Sequence, residues 1–234
     1  MGLCLNYELR LAANRSRADM IETLESLHRF ATTLPVHSVT PICLFERERS
    51  VSTSFWGSGH LEDFFHVWAS ILAKPSNEPS PTSGMNWDAE SAAGFVIAIG
   101  KGCEAAPVGF LHGRDDQGTR EEWFWYASVK TQYASVVSDE HLVTCHTALV
   151  SLLDYAIEIG VDVVVRDETG YWPSRDAATL IDEVHKMNRI VAKFAGTMSD
   201  AITQHHVGSA IFHHPDFEHL EMEKESSDGR RFER

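Results

Sequence analysis

Apolar and polar positions alternate near the start of the chain, where Leu3, Leu5, Tyr7, Leu9 and Leu11 are separated by Cys4, Asn6, Glu8 and Arg10. A period of two predicts a half-buried strand that begins at once, with no signal peptide ahead of it. The period then lengthens. Ser16 suits an N-cap and Asp19 the first helical turn, and Met20, Leu24, Leu27, Ala31 and Leu34 follow at helical spacing as far as Pro35. Residues 36–46 read as a second strand, in which Pro41 predicts an edge position or a bulge.

Residues 50–90 are the least regular and read as an insertion. Gly57 and Gly59 precede an aromatic-rich stretch, His60–Leu72, expected to be a loop leading into a short helix. The Pro- and Ser-rich run that starts at Lys74 has the composition of a linker. Regular patterning returns in Ala92–Gly100, Ala106–His112 and residues 121–133, three neighbouring strands expected to form a meander.

The third of these is the most informative segment of the chain. As a strand it places Trp123, Trp125, Ala127, Val129, Thr131 and Tyr133 on one face, and Phe124, Tyr126, Ser128, Lys130 and Gln132 on the other. The first face is suited to burial under helices. The second passes from aromatic to hydrogen-bonding and predicts one wall of a partly polar hollow.

Ser138 then caps a helix with Asp139 and Glu140 in its first turn and a stripe of Leu142, Cys145, Leu149, Leu152, Leu153 and Ala156, ended by Gly160. Val161–Asp167 reads as a strand and Gly170 as a turn. Ser174 is expected to cap a long helix carrying Ala177, Leu180, Ile181, Val184, Val191, Phe194 and Met198. The pattern fades into a histidine-rich and then charged tail over 205–234, expected to be poorly packed.

The order predicts one α+β domain over residues 1–204, with a mixed or antiparallel sheet and helices on one face. The specific expectation is a ferredoxin-like core elaborated by the insertion and an extra hairpin. Broken strand–helix alternation in the middle argues against a doubly wound parallel sheet.

Composition narrows the function classes. A hydrophobic fraction of 43% and a charged fraction of 23% are those of a globular protein. A formal net charge of −14 argues against nucleic acid, whose phosphates require a basic stripe, and disfavours anionic membranes. No apolar run is long enough to span a bilayer, and Asn6 stands where a myristoylation signal requires Ser or Thr. The four cysteines, at positions 4, 43, 103 and 145, form no CxxC pair and read as reduced thiols in a cytoplasmic protein.

Candidate chemistry centres on Lys130. An amine beside aromatics loses its proton more readily when buried, and a neutral amine can act as base or nucleophile with acids near Asp167. The simpler account pairs Lys130 with Asp167 or Glu168. Arg166, Asp167 and Tyr171 lie at a strand-to-helix junction, where loops often hold binding residues. Metal-ligand pairs are His141 with Cys145 and His60 with Asp63, while His205, His206, His213, His214 and His219 cluster in the tail. Cys103, between glycine-flanked Lys101 and Glu104, is the thiol placed best for reactivity. No dinucleotide or phosphate loop, GxSxG elbow or HExxH is present.

The expectation is therefore a soluble, acidic α+β binding or interaction module. Its ligand-binding candidates are Tyr126, Lys130, Gln132, Tyr133, Arg166, Asp167 and Tyr171. A small molecule and a second copy of the chain are the candidate partners. Catalytic residues and cofactor are unassigned, and no metal is assigned. An enzyme using Lys130 with nearby carboxylates, or a His/Cys metal-dependent protein, is the alternative.

Overall fold

The protein is described by a computed structural model over residues 2–12, 14–46, 61–72, 88–114 and 121–201. The elements run β1 (Leu5–Arg10), α1 (Arg17–Ala31), β2 (Ser38–Val39), β3 (Cys43–Glu46), α2 (Leu61–Leu72), β4 (Asp88–Ala98), β5 (Ala106–Arg114), β6 (Glu121–Val129), α3 (Asp139–Glu158), β7 (Asp162–Asp167), α4 (Tyr171–Ser174) and α5 (Ala177–Ala201). A single turn of 3-10 helix, Gln132–Val136, separates β6 from α3. Helices and an antiparallel sheet together make an α+β fold. The tail, the linker and His60 lie outside the described residues. Among the described residues no helix is long and apolar enough to cross a membrane.

The strands lie in the order β2-β4-β5-β6-β1-β7, with β3 also against β4, and every pairing is antiparallel. The β4–β5–β6 meander is as the pattern predicts. Pro41 divides the second predicted strand into β2 and β3, both of which pair with β4. Proline has no N–H to give to a ladder and is tolerated at a sheet edge, which is where β2 and β3 lie.

β1 lies between β6 and β7. Its buried residues Leu5, Tyr7 and Leu9 stand opposite Val129, Ala127 and Trp125. These residues join Leu24 and Leu27 of α1 and Leu142, Leu149 and Leu153 of α3 in one connected core. Trp125 is fully buried, stacks on Phe65 of α2 with ring centroids 5.2 Å apart, and donates from Nε1 to the Pro107 carbonyl at 2.8 Å.

The helices are not confined to one face. His28 of α1 meets Phe95 edge-on at 5.0 Å, whereas a Cβ added at the neighbouring Gly94 would overlap Phe65 of α2. Successive residues of a strand project to opposite sides, so α1 and α2 cover opposite faces of β4. Glycine at 94 is what lets α2 come this close.

Capping explains the helix starts. Ser16 and Asp19 form a reciprocal capping box on α1, and the Ser138 hydroxyl accepts from His141 N at 3.0 Å on α3. Ser174 does not open the long helix. It closes α4, and the Asp176 carboxylate caps α5 by accepting from the backbone N–H groups of Ala178 and Thr179 at 3.1 and 3.2 Å.

Candidate functional site

The strand predicted over 121–133 ends at Val129, and the residues beyond it turn. The turn is held from two directions. Ala134 N donates to Thr131 O at 3.0 Å, closing the 3-10 turn. The hairpin loop between β4 and β5 is fastened alongside: Glu104 N donates to Lys130 O at 2.8 Å, and Lys130 N donates to the Glu104 carboxylate at 3.0 Å. Gly102, at φ 79°, lies directly on the Tyr133 carbonyl, and any side chain there would collide with backbone. Loop and turn therefore meet in one geometry.

Between them lies an open hollow of about 480 Å³ lined by Lys101, Gly102, Cys103, Glu104, Tyr133, Val136 and Val137. Val137 is 47% exposed although apolar. Lys101 and Glu104 bring opposite charges to the lining, and Tyr133 is its single aromatic residue among the described residues. The aromatic run of β6 is not part of the lining.

The seven predicted ligand residues fall into separate places. Tyr133 lines the hollow. Lys130 stands beside it, its ammonium 3.3 Å from Glu104 Oε1 and its side chain 30% exposed. Partial burial works against the Lys130 charge, but attraction and hydrogen bonding from Glu104 outweigh it and hold the ammonium above its usual range. Its partner is Glu104, not Asp167 or Glu168. Tyr126 remains on β6, where its hydroxyl donates to Asn6 Oδ1 at 3.1 Å and burial pushes its phenol up. Arg166 is exposed on β7. Gln132, Asp167 and Tyr171 belong to a polar network inside the protein.

That network has two arms. In the first, the carbonyl oxygen of the Gln132 side chain accepts from Leu3 N, its amide donates to Asn188 Oδ1 at 3.4 Å, and Asn188 donates to Ser135 Oγ at 3.0 Å. In the second, Thr131 Oγ1 lies 2.8 Å from His146 Nδ1, and His146 Nε2 lies 3.2 Å from Asp167 Oδ2. Tyr171 meets the His146 ring edge-on at 5.4 Å. Thr169 N and Oγ1 donate to Asp167 Oδ1 at 2.9 and 2.7 Å, and Trp172 N donates to Oδ2 at 2.8 Å.

Asp167 can only accept when ionised, so His146 Nε2 carries the proton between them. Burial opposes the Asp167 charge, yet the hydrogen bond and field of His146, with the Thr169 and Trp172 donors, hold its carboxyl down at about 2. The order Thr–His–Asp resembles a nucleophile with its base and orienter. Here the His146 and Asp167 side chains are fully enclosed and Thr131 is buried. A substrate has no approach to Thr131 Oγ1, and the chain of bonds ties α3 to the end of β7.

Thr131, Ser135, His146 and Asn188 were not among the sequence candidates. A signal for two of them exists: His146 falls four residues after Leu142 and three before Leu149, and Asn188 four after Val184, each on a buried stripe. A polar residue at such a position needs a partner.

Cys103 and Cys145 are arranged against reactivity. Burial pushes both Cys103 and Cys145 above the usual thiol range. His141 Nε2 lies 3.5 Å from Cys145 Sγ, as their spacing predicts, but also 3.0 Å from the Lys101 carbonyl. Nε2 must be protonated to bond that carbonyl, which removes its lone pair from metal binding. Among the described residues no three His, Cys, Asp or Glu side chains gather as a metal site. His60 and the five tail histidines lie outside the described residues. In comparisons with protein families, curated proteins and solved structures, the chain matches none.

Proposed function

We propose that this chain is a non-catalytic binding module whose hollow between the 100–104 loop and the 132–137 segment takes a small molecule with an apolar body. The observation that carries the reading is the hollow itself. Its volume falls within the roughly 300–1,000 Å³ usual for ligand pockets. Val136, Val137 and Tyr133 offer apolar contact, and Lys101 and Glu104 offer charge to orient a polar group. The loop that forms one wall is held by Gly102 against Tyr133 and by Glu104 against Lys130, so little ordering has to accompany binding. The enzymatic reading is weaker, because the pairing with Glu104 favours the charged form of Lys130 whereas base or nucleophilic chemistry needs the neutral amine.

Two further readings accompany this one. The strand order β7-β1-β6-β5, with α1 following β1 and α3 preceding β7, supports a ferredoxin-like core, with β2, β3, α2 and β4 as its elaboration. Cysteines that form no disulfide among the described residues support a cytoplasmic location.

The test is a fluorescence titration of the full chain with anilinonaphthalene sulfonate. One saturable site is expected. Val137→Asp should abolish it, while Ile190→Asp, at a 53% exposed apolar residue outside the lining, should leave it unchanged. Absence of saturable binding by the wild type, or undiminished binding by Val137→Asp, refutes the assignment.

A further inference from the structure

The two edges of the sheet are built differently. On the β4 side, β2 is two residues long and is separated from the four-residue β3 by a proline. Short and interrupted strands of this kind resist pairing with another chain. The opposite edge is β7, Asp162-Val-Val-Val-Arg-Asp167, six residues in unbroken register with β1. It contains no proline, glycine, lysine or bulge, and Val164 is 42% exposed on it. Among the described residues β1 is its sole strand neighbour.

The ladder determines which backbone groups of β7 face outward. Glu168 N donates to Cys4 O at 3.1 Å, so residues 4 and 168 are a hydrogen-bonded pair. Antiparallel ladders alternate hydrogen-bonded and non-bonded pairs. With the register Leu5–Asp167 and Asn6–Arg166, it follows that Asp162, Val164 and Arg166 turn their backbone groups toward β1. Val163 and Val165 turn theirs away. No bond to the N–H or C=O of either valine is found among the described residues.

We propose that two copies of the chain join their sheets edge to edge, β7 against β7, antiparallel about a two-fold axis at Val164. In this register Val163 exchanges both backbone hydrogen bonds with Val165 of the second copy, and symmetry repeats the exchange, giving four bonds. Val164 meets its own copy in a non-bonded pair. Asp162 stands opposite Arg166 of the second copy, and Arg166 opposite Asp162, on the exposed face of the strand. Centring on Val163 instead would set Asp162 against a valine, and centring on Val165 would do the same to Arg166. Charge therefore selects the Val164 register, because opposite charges directly across a ladder are favourable and a charge across from valine gains nothing. Neither Asp162 nor Arg166 has an ion pair within its own chain among the described residues. The interface extends the partly buried row of Val163 and Val165 on the packed face.

Sedimentation equilibrium of the full chain over a range of concentrations tests this. The wild type should reach twice its 26.2 kDa. Asp162→Arg and Arg166→Asp each set like charges opposite one another twice, and each should return the protein to monomer. The double variant Asp162→Arg/Arg166→Asp restores opposite signs and should recover the dimer. Circular dichroism establishes that each variant is folded. On the wild type alone, amide exchange at Val163 and Val165 should slow as concentration rises, while that at Val164 should not change. A monomer at every concentration, a dimer indifferent to the single reversals, or concentration-independent exchange at Val163 and Val165 would overturn the proposal.

Discussion

Replacing Asp167 tests the buried network most directly, because Asn and Ala remove different parts of it. Each carboxylate oxygen has two donors: Oδ1 receives Thr169 N and Oγ1, and Oδ2 receives Trp172 N and His146 Nε2. In Asp167→Asn the oxygen can take the Oδ1 place and keep both Thr169 bonds. The amide nitrogen then faces Trp172 N–H, a donor against a donor. His146 can adapt by moving its proton to Nδ1, toward Thr131 Oγ1, and accepting from the new amide at Nε2. One backbone N–H is left without a partner, which costs roughly 1–3 kcal/mol. In Asp167→Ala the Thr169 and Trp172 amides and His146 lose their partner together, and breaking a buried pair costs roughly 3–5 kcal/mol. For a chain of this size the Asn variant should melt about 2–12 °C lower, at about 2–4 °C per kcal/mol.

The same residue sets a pH signature. Its carboxyl lies at about 2 in the folded protein against an ordinary 3.8. A lowered carboxyl contributes stability that is complete above the ordinary value and lost as pH falls through the folded one. The window is therefore from about pH 4 down to about pH 2, and the contribution is on the order of 2 kcal/mol. The Asn variant has no such titration, and other carboxylates affect both proteins alike. The stability gap between wild type and Asp167→Asn, from urea denaturation followed by circular dichroism, should narrow as pH falls through that window. A gap that stays constant from pH 5 to 2, or an Ala variant no weaker than the Asn variant, would refute the account.

Two other perturbations probe the fold. Trp125→Ala removes a fully buried indole, its stack on Phe65 and its bond to Pro107, and should lower the unfolding free energy in urea by roughly 3–5 kcal/mol. An unchanged urea midpoint would contradict its burial. Gly94→Ala would push a methyl group into the Phe65 ring and to within 2.8 Å of Gly109 Cα, and overpacking of this kind costs roughly 1–3 kcal/mol. Wild-type thermal stability in that variant would show that α2 does not lie on Gly94.

Elements whose cause is local were legible in the sequence. Ser16 with Asp19, and Ser138 with the stripe from Leu142 to Ala156, announce α1 and α3, and the alternation of Trp123, Trp125, Ala127 and Val129 announces β6. What was missed depends on residues far away in the chain. The end of β6 is set by Glu104, which takes over the backbone of Lys130, and by the hydrogen bond that Leu3 N donates to the Gln132 side chain. No window around residue 130 contains either partner. The division of helices between two faces rests on Phe65 lying over Gly94, and the hollow on Gly102 lying over Tyr133. Ser174 and Asp176 are both good caps, and the left-handed turn at Arg175, φ 57°, decides between them.

The position of β1 has a consequence for synthesis. It is an inner strand of the sheet, and both of its neighbours, β6 and β7, follow it by more than a hundred residues. At about 5–20 residues per second, the ribosome needs on the order of ten seconds after making Leu5, Tyr7 and Leu9 before Asp167 exists to complete their pairing. Until then the nascent chain carries an apolar, unpaired ribbon, and a chaperone that shields Leu5–Arg10 would cover it during that interval.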